Sequence, residues 1–161
     1  MFVPDNSIAL VGYGNTLRGD DGAGIVTARL TAGLSKNLPV SLFEFQQLTI
    51  ELADLLKDFK VIIFFDCSVN IRDGSFSITS IEPSDRIYSL SISHYLKPQD
   101  LIICIKKLYG TNPIAFLCQI GGKDFDIGIR LSDKVIRAVK DASKKVYEDI
   151  IKPELSLAKK S

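Results

Sequence analysis

Apolar residues fall in two rhythms along the chain. Ile8-Ala9-Leu10-Val11, Val61-Ile62-Ile63-Phe64-Phe65 and Ile114-Ala115-Phe116-Leu117-Cys118 are near-continuous runs, the pattern of parallel strands covered on both faces. They predict strands over Ser7–Gly12, over Val61–Phe65 with a stop at Asp66, and over Ile114–Ile120. Pro39–Phe45 alternates enough for another strand. Phe76–Ile81 alternates cleanly after an Asp73-Gly74 turn, which predicts an antiparallel edge strand with one wet face.

Between these runs the apolar spacing changes to three and four. It predicts a helix from about Gly22 to Lys36 and a short one over Ile50–Leu56 with Thr49 as its N-cap. A third opens at Pro98, carries Leu101, Ile102 and Ile105, and ends at Tyr109-Gly110. A fourth is capped by Ser132 and buries Val135, Ile136, Val139, Ala142, Val146 and Ile150. Pro153 ends it, and the Lys-rich segment 152–161 is expected to fray. Residues 82–93 read as a polar loop. Strands alternating with helices imply a three-layer α/β/α sandwich around a mostly parallel, twisted sheet of about five strands. At 161 residues a single domain, 1–161, is expected.

Charge changes little in this picture. A formal net charge of +1 gives no electrostatic footprint for nucleic acid or an anionic membrane. The first residues lack the basic and long apolar regions of a signal peptide. Cys67, Cys104 and Cys118 are odd in number and widely spaced within apolar segments, so reduced thiols in a cytoplasmic protein are expected.

Candidate chemistry gathers where the first strand meets the first helix. Gly12-Tyr13-Gly14-Asn15-Thr16-Leu17-Arg18-Gly19-Asp20-Asp21-Gly22-Ala23-Gly24 joins them, at the sheet edge where open α/β folds bind ligands. Asp66 closes the third strand and His94 precedes the third helix. If the first and third strands are neighbours, their ends lie about 5 Å apart, and Asp21 and Asp66 face one crevice that His94 can reach. Two carboxylates and an imidazole with open positions suit Ni²⁺ or Zn²⁺. Without a cation the two acids raise one another's pKa.

Plainer readings compete at each position. Asp66 could form a turn or cap a helix. A lone histidine is commonly a surface or core residue. Asp20 and Asp21 could serve the helix dipole. Cys67, with no histidine adjacent in sequence, reads as structural. A dinucleotide cradle is disfavoured: Leu17 stands where the third glycine belongs, two acids occupy the pyrophosphate position, and Gln46-Gln47 replaces the acidic ribose ligand.

The pattern Gly12-x-Gly14-Asn15-x-Leu17-x-x-Asp20-Asp21-Gly22-x-Gly24 resembles the N-terminal signature of the hydrogenase maturation proteases. These endopeptidases finish the large subunit of [NiFe] hydrogenases. The resemblance runs through Asp66 and His94 and covers Ile8 to roughly Ile150. Gln47-Leu48-Thr49-x-Glu51-Leu52-Ala53, Leu108-Tyr109-Gly110-x-x-Pro113 and Phe125-x-x-Gly128 are similar to the branch serving bidirectional, NAD-linked hydrogenases. One departure is Gln46-Gln47-Leu48-Thr49, where many members carry a Gly-Gly-Thr or Gly-Thr turn.

The resemblance implies that Asp21, Asp66 and His94 are the metal-contacting, catalytic residues. Gly12, Gly14, Asn15, Asp20 and Gly22 are then accessory loop residues. It implies nickel carried by the large-subunit precursor and recognised there, with a divalent metal in the isolated protein only adventitious. The reaction implied is removal of a short C-terminal peptide from that precursor in the cytoplasm. No serine, cysteine or threonine stands in a nucleophile arrangement, so a water is the expected nucleophile. A metal-sensing chaperone that docks on the precursor without cutting it would use the same three residues. A nucleotide-binding enzyme remains the third reading.

Overall fold

A computed structural model describes residues 7–82 and 96–158. Within them five strands form one sheet: β1 (Ile8–Tyr13), β2 (Val40–Phe45), β3 (Val61–Ser68), β4 (Phe76–Ser80) and β5 (Ile114–Gly121). The spatial order is β2-β1-β3-β5-β4, parallel throughout except for the antiparallel edge strand β4. This is the α/β architecture that the alternation of apolar rhythms implies.

The sheet divides two cores, and residue parity assigns each side chain to one of them. Ile63 and Phe65 of β3 join Leu10, Ile120, Val135 and Val139 beneath α1 (Ala23–Leu34) and α4 (Asp133–Val146). Ile62 and Phe64 join Val11, Leu48, Leu101 and Ile105 beneath α2 (Leu52–Leu56) and α3 (Pro98–Tyr109). Phe64 and Phe65 are both fully buried, on opposite faces, so the run that looks uniformly apolar in sequence feeds two separate layers.

Helix α1 packs against the sheet on one side and α4 on the other, which leaves it little room for unsatisfied polar groups. Its buried hydroxyls bond back into their own helix: Thr27 donates to Ala23 O at 2.7 Å, Thr31 to Thr27 O at 2.8 Å and Ser35 to Thr31 O at 2.8 Å. Each donor is satisfied one turn earlier, so a polar row is buried without needing a tertiary partner.

Three expected boundaries move. β3 does not stop at Asp66; it continues through Cys67 and Ser68 because β5 keeps pairing with it as far as Ser68↔Gly121. α2 starts at Leu52, since the Leu52 N–H closes a tight turn onto Thr49 O at 3.2 Å and the Ala53 N–H another onto Ile50 O at 3.0 Å. Pro153 does not end the last helix. Tyr147–Ile151 widens into a π turn in which the Lys152 N–H reaches Tyr147 O, and Pro153 falls in the first turn of α5 (Lys152–Ala158). Pro153 has no N–H to give to the preceding turn and closely follows the widened π turn. Among the described residues no helix is long and apolar enough to cross a membrane.

Candidate functional site

The site forms where the C-terminal ends of β1 and β3 meet the start of α1. Close approach is what selects glycine here. A Cβ on Gly24 would stand 2.4 Å from Phe65 O and 2.8 Å from Tyr13 O, so the first turn of α1 rests directly on both strand ends. Gly14 has φ of 135° and faces Asp21 O, 2.1 Å from where a Cβ would be. No L side chain fits that backbone without strain. Gly12 lies against Ala28 and Ile25, and Gly22 against Thr16.

The adjacent acids diverge from this loop. Asp20 is fully buried on the α4 side. Its carboxylate accepts the N–H of Ser132 at 2.7 Å, of Asp124 at 3.0 Å and of Lys123 at 3.1 Å, and the Ser132 hydroxyl at 3.2 Å. Burial alone would raise its pKa, but these donors outweigh it and hold the carboxyl below the usual range. Asp20 therefore ties down the 123–132 loop and has no oxygen left for a substrate.

Asp21 is half-buried and points back over the loop. One of its oxygens accepts the Asn15 N–H at 2.8 Å, while Asn15 Oδ1 accepts the Leu17 N–H at 2.9 Å. Asn15 thus shapes the turn with its side chain and secures Asp21 with its backbone.

Asp66 sits inside β3, paired with Gln119 of β5, and β1 ends beside it at Tyr13. Burial drives its pKa up to about 6. Hydrogen bonds from Gln119, the Tyr13 hydroxyl and the Cys67 N–H oppose the rise, and the negative charge of Asp21 adds to it. Asp21, just before α1, and Asp66, on β3, both lie at the C-terminal edge of the sheet, and the charge of Asp21 is felt at Asp66. Burial and the Asp66 charge push the Tyr13 phenol well above its ordinary value, so it is a fixed O–H donor at any physiological pH.

Cys67 points to the opposite face. A Cβ on Gly122 would come within 2.5 Å of its Sγ, and burial, followed by the charges of Asp66, Asp20 and Asp21, pushes the thiol up to about 12. A thiol so protonated is a poor nucleophile.

His94 lies outside the described residues, as does most of the 82–93 loop. The chain re-enters them at Leu96, whose N–H donates to Leu48 O at 3.0 Å just beyond the end of β2. Leu96 packs into the same core as Tyr13, on the face that carries Asp66. Among the described residues, no group of three or more His, Cys, Asp and Glu side chains could hold a metal ion. Two carboxylates are present, and further donors would have to come from His94 or from a ligand.

Sequence reasoning missed Tyr13 and Gln119. Gln119 was visible as the one amide interrupting an apolar strand. Tyr13 occupied a position that a Gly-x-Gly pattern treats as arbitrary.

The loop that carries Asp20 and Asp21 is joined to the loop before α4. Gly19 N–H donates to Gly128 O at 2.7 Å and Gly128 N–H to Leu17 O at 2.9 Å, zipping two loops together. Leu17, Ile127 and Ile129 project from this zipper 63%, 95% and 79% exposed.

No family model matches the chain, and no curated protein is similar to it in sequence. Solved structures do share its fold. The hydrogenase maturating endopeptidase HybD from Escherichia coli superposes with a TM-score of 0.71 at 20% identity, covering 91% of this chain and 93% of its own. The [NiFe] hydrogenase maturation protease HycI from Thermococcus kodakarensis gives 0.67 at 20% identity, with 89% and 91% covered. The hydrogenase 2 maturation peptidase from a Thaumarchaeota archaeon gives 0.63 at 24% identity, with 89% and 97% covered. At these identities the likeness establishes the fold.

Proposed function

We propose that this chain is a processing endopeptidase that removes a short C-terminal peptide from the nickel-loaded large-subunit precursor of a [NiFe] hydrogenase. The observation that carries the reading is the placement of Asp21 before α1 and of Asp66 on β3, both at the C-terminal edge of a sheet whose fold is shared with maturation endopeptidases. The glycine and acid spacing of the first loop supports it, because those residues build this edge.

In this reading nickel arrives as part of the substrate. Asp21, Asp66 and His94 contact it from the enzyme side, and the precursor's cysteines hold the other positions. Binding then depends on a loaded precursor, which rejects the unloaded one. A water attacks the scissile carbonyl: its oxygen bonds to carbon, its proton passes to a carboxylate, and the peptide nitrogen leaves with a proton as the C–N bond breaks. Asp20, engaged by four donors, supports the loop and takes no part in proton transfer. The apolar rim of Leu17, Ile127 and Ile129 suits a protein substrate. The motifs around Gln47-Leu48-Thr49 and Leu108-Tyr109-Gly110 favour a precursor of the bidirectional, NAD-linked class, processed in the cytoplasm.

The test is incubation with purified precursor, with and without nickel, followed by mass analysis of its C terminus. Loss of a C-terminal peptide only from the nickel-loaded form is expected. An uncut precursor bound tightly in a nickel-dependent complex would instead establish the non-cleaving chaperone.

A further inference from the structure

Asp66 is flanked on both sides in the plane of the sheet. Gln119 stands opposite it on β5 in direct register, its Nε2 3.5 Å from Asp66 Oδ2. On the other side β1 pairs Gly12 with Phe65, which places Tyr13 beside Asp66, its hydroxyl near enough to favour the carboxylate. All three residues share the parity of Ile62, Phe64, Val11 and Leu117, the face covered by α2 and α3. Each is half-buried.

A carboxylate offers about four lone-pair positions. Polar side chains flank it from both neighbouring strands, Gln119 on β5 and Tyr13 on β1. We infer that Tyr13 and Gln119 are positioning residues that hold Asp66 from both sides so that its free lone pairs face the crevice. Resting on the processing reading above, this fixes the orientation in which Asp66 meets the precursor or its attacking water. It also removes the freedom of the carboxylate to rotate, because both clamping side chains stand on strands already locked in register.

Nothing else in the described residues performs this task. Asp21 is held through one backbone N–H from its own loop, while Asp66 is flanked from two neighbouring strands. The site pairs a fixed acid with an adaptable one.

Tyr13→Phe and Gln119→Leu test the clamp, each removing a donor while nearly keeping the shape. Outer-sphere partners of this kind change activity by roughly 10–100-fold. Tyr13→Phe is expected to lower kcat for nickel-loaded precursor within that range, with KM changed less than about twofold and an unaltered melting temperature. Gln119→Leu should act in the same direction and less strongly, in keeping with its longer contact.

A second measurement needs no substrate. In the isolated protein the Tyr13 hydroxyl proton should give a slowly exchanging low-field NMR resonance. It should vanish in Tyr13→Phe, persist in Gln119→Leu, and move in Asp66→Asn. Wild-type turnover by Tyr13→Phe, or absence of that resonance from the native protein, overturns the inference. If the wild type leaves precursor uncut, the processing reading falls, and the resonance alone decides whether Asp66 is clamped.

Discussion

The carboxylate of Asp20 accepts the main-chain N–H of Ser132 at 2.7 Å across a separation of 112 residues. This contact, with those to Lys123 and Asp124, fastens the loop before α4 to the loop before α1. Ser132 stands at the N-cap of α4, yet its hydroxyl turns away from the helix and donates to Asp20. Removing the acceptor leaves three backbone N–H groups and a hydroxyl unsatisfied. Asp20→Ala should therefore destabilise the fold by about 3 kcal/mol, read as a lower urea midpoint.

The same carboxyl has a pH signature. Its folded pKa lies below the ordinary value, so the stability it provides is complete above the unfolded pKa and is lost as pH falls through the folded one. Wild type should lose stability relative to Asp20→Asn below about pH 4. Denaturant titrations at pH 2.5, 4 and 7 would show the two variants converging as the solution is acidified.

Asp66 should behave in the opposite sense. With its folded pKa raised to about 6, the native state holds a proton that the unfolded chain releases near pH 4. Its contribution is complete below the unfolded pKa and disappears as pH rises through about 6. Asp66→Asn should gain stability over wild type across that window, on the order of 2 kcal/mol at pH 7. Thermal melts at pH 4 and pH 7 would reveal a stability difference that grows with pH; a constant difference would contradict the burial of this acid.

Gly24 is where α1 touches both strand ends, and a methyl there would overlap the Phe65 and Tyr13 carbonyl oxygens. Neither oxygen belongs to a flexible side chain. Gly24→Ala should destabilise by about 2–3 kcal/mol despite the better helix propensity of alanine. Gly33, in the same helix with open space around it, is the control: Gly33→Ala should stabilise by up to about 1 kcal/mol. Chemical denaturation of both variants checks the contrast.

Ile127 is almost wholly exposed on the loop joined to Gly19, so changing it should leave folding within about 0.5 kcal/mol. If the rim receives the precursor, Ile127→Glu should raise KM for processing several-fold and leave kcat nearly constant. Progress curves over a range of precursor concentrations separate these quantities. An unchanged KM would place docking elsewhere on the surface.

How much of this was legible beforehand depended on whether a feature is written in neighbouring residues. The strands, the antiparallel position of β4 after Asp73-Gly74, and the Pro98 start and Gly110 end of α3 all followed from local pattern and backbone preference. The extension of β3 past Asp66 did not, because a polar residue inside a strand is tolerated only when a partner strand continues beside it. The passage of the last helix through Pro153 depended on the π turn before it, which no propensity announces.

By itself the sequence determined the alternation of strands and helices, the glycine positions and the acids that border them. Periodicity and chain stiffness act over a few residues and leave their mark there. Only the tertiary structure decided that Asp20 is consumed by a loop more than a hundred residues away, while Asp21 remains at the crevice. Only the tertiary structure gave Asp66 its two flanking donors. Those differences arise from strand order and register, and from burial that raises one carboxyl while hydrogen bonds lower another. Such forces depend on what lies nearby in space, and in this protein the decisive neighbours come from distant parts of the chain.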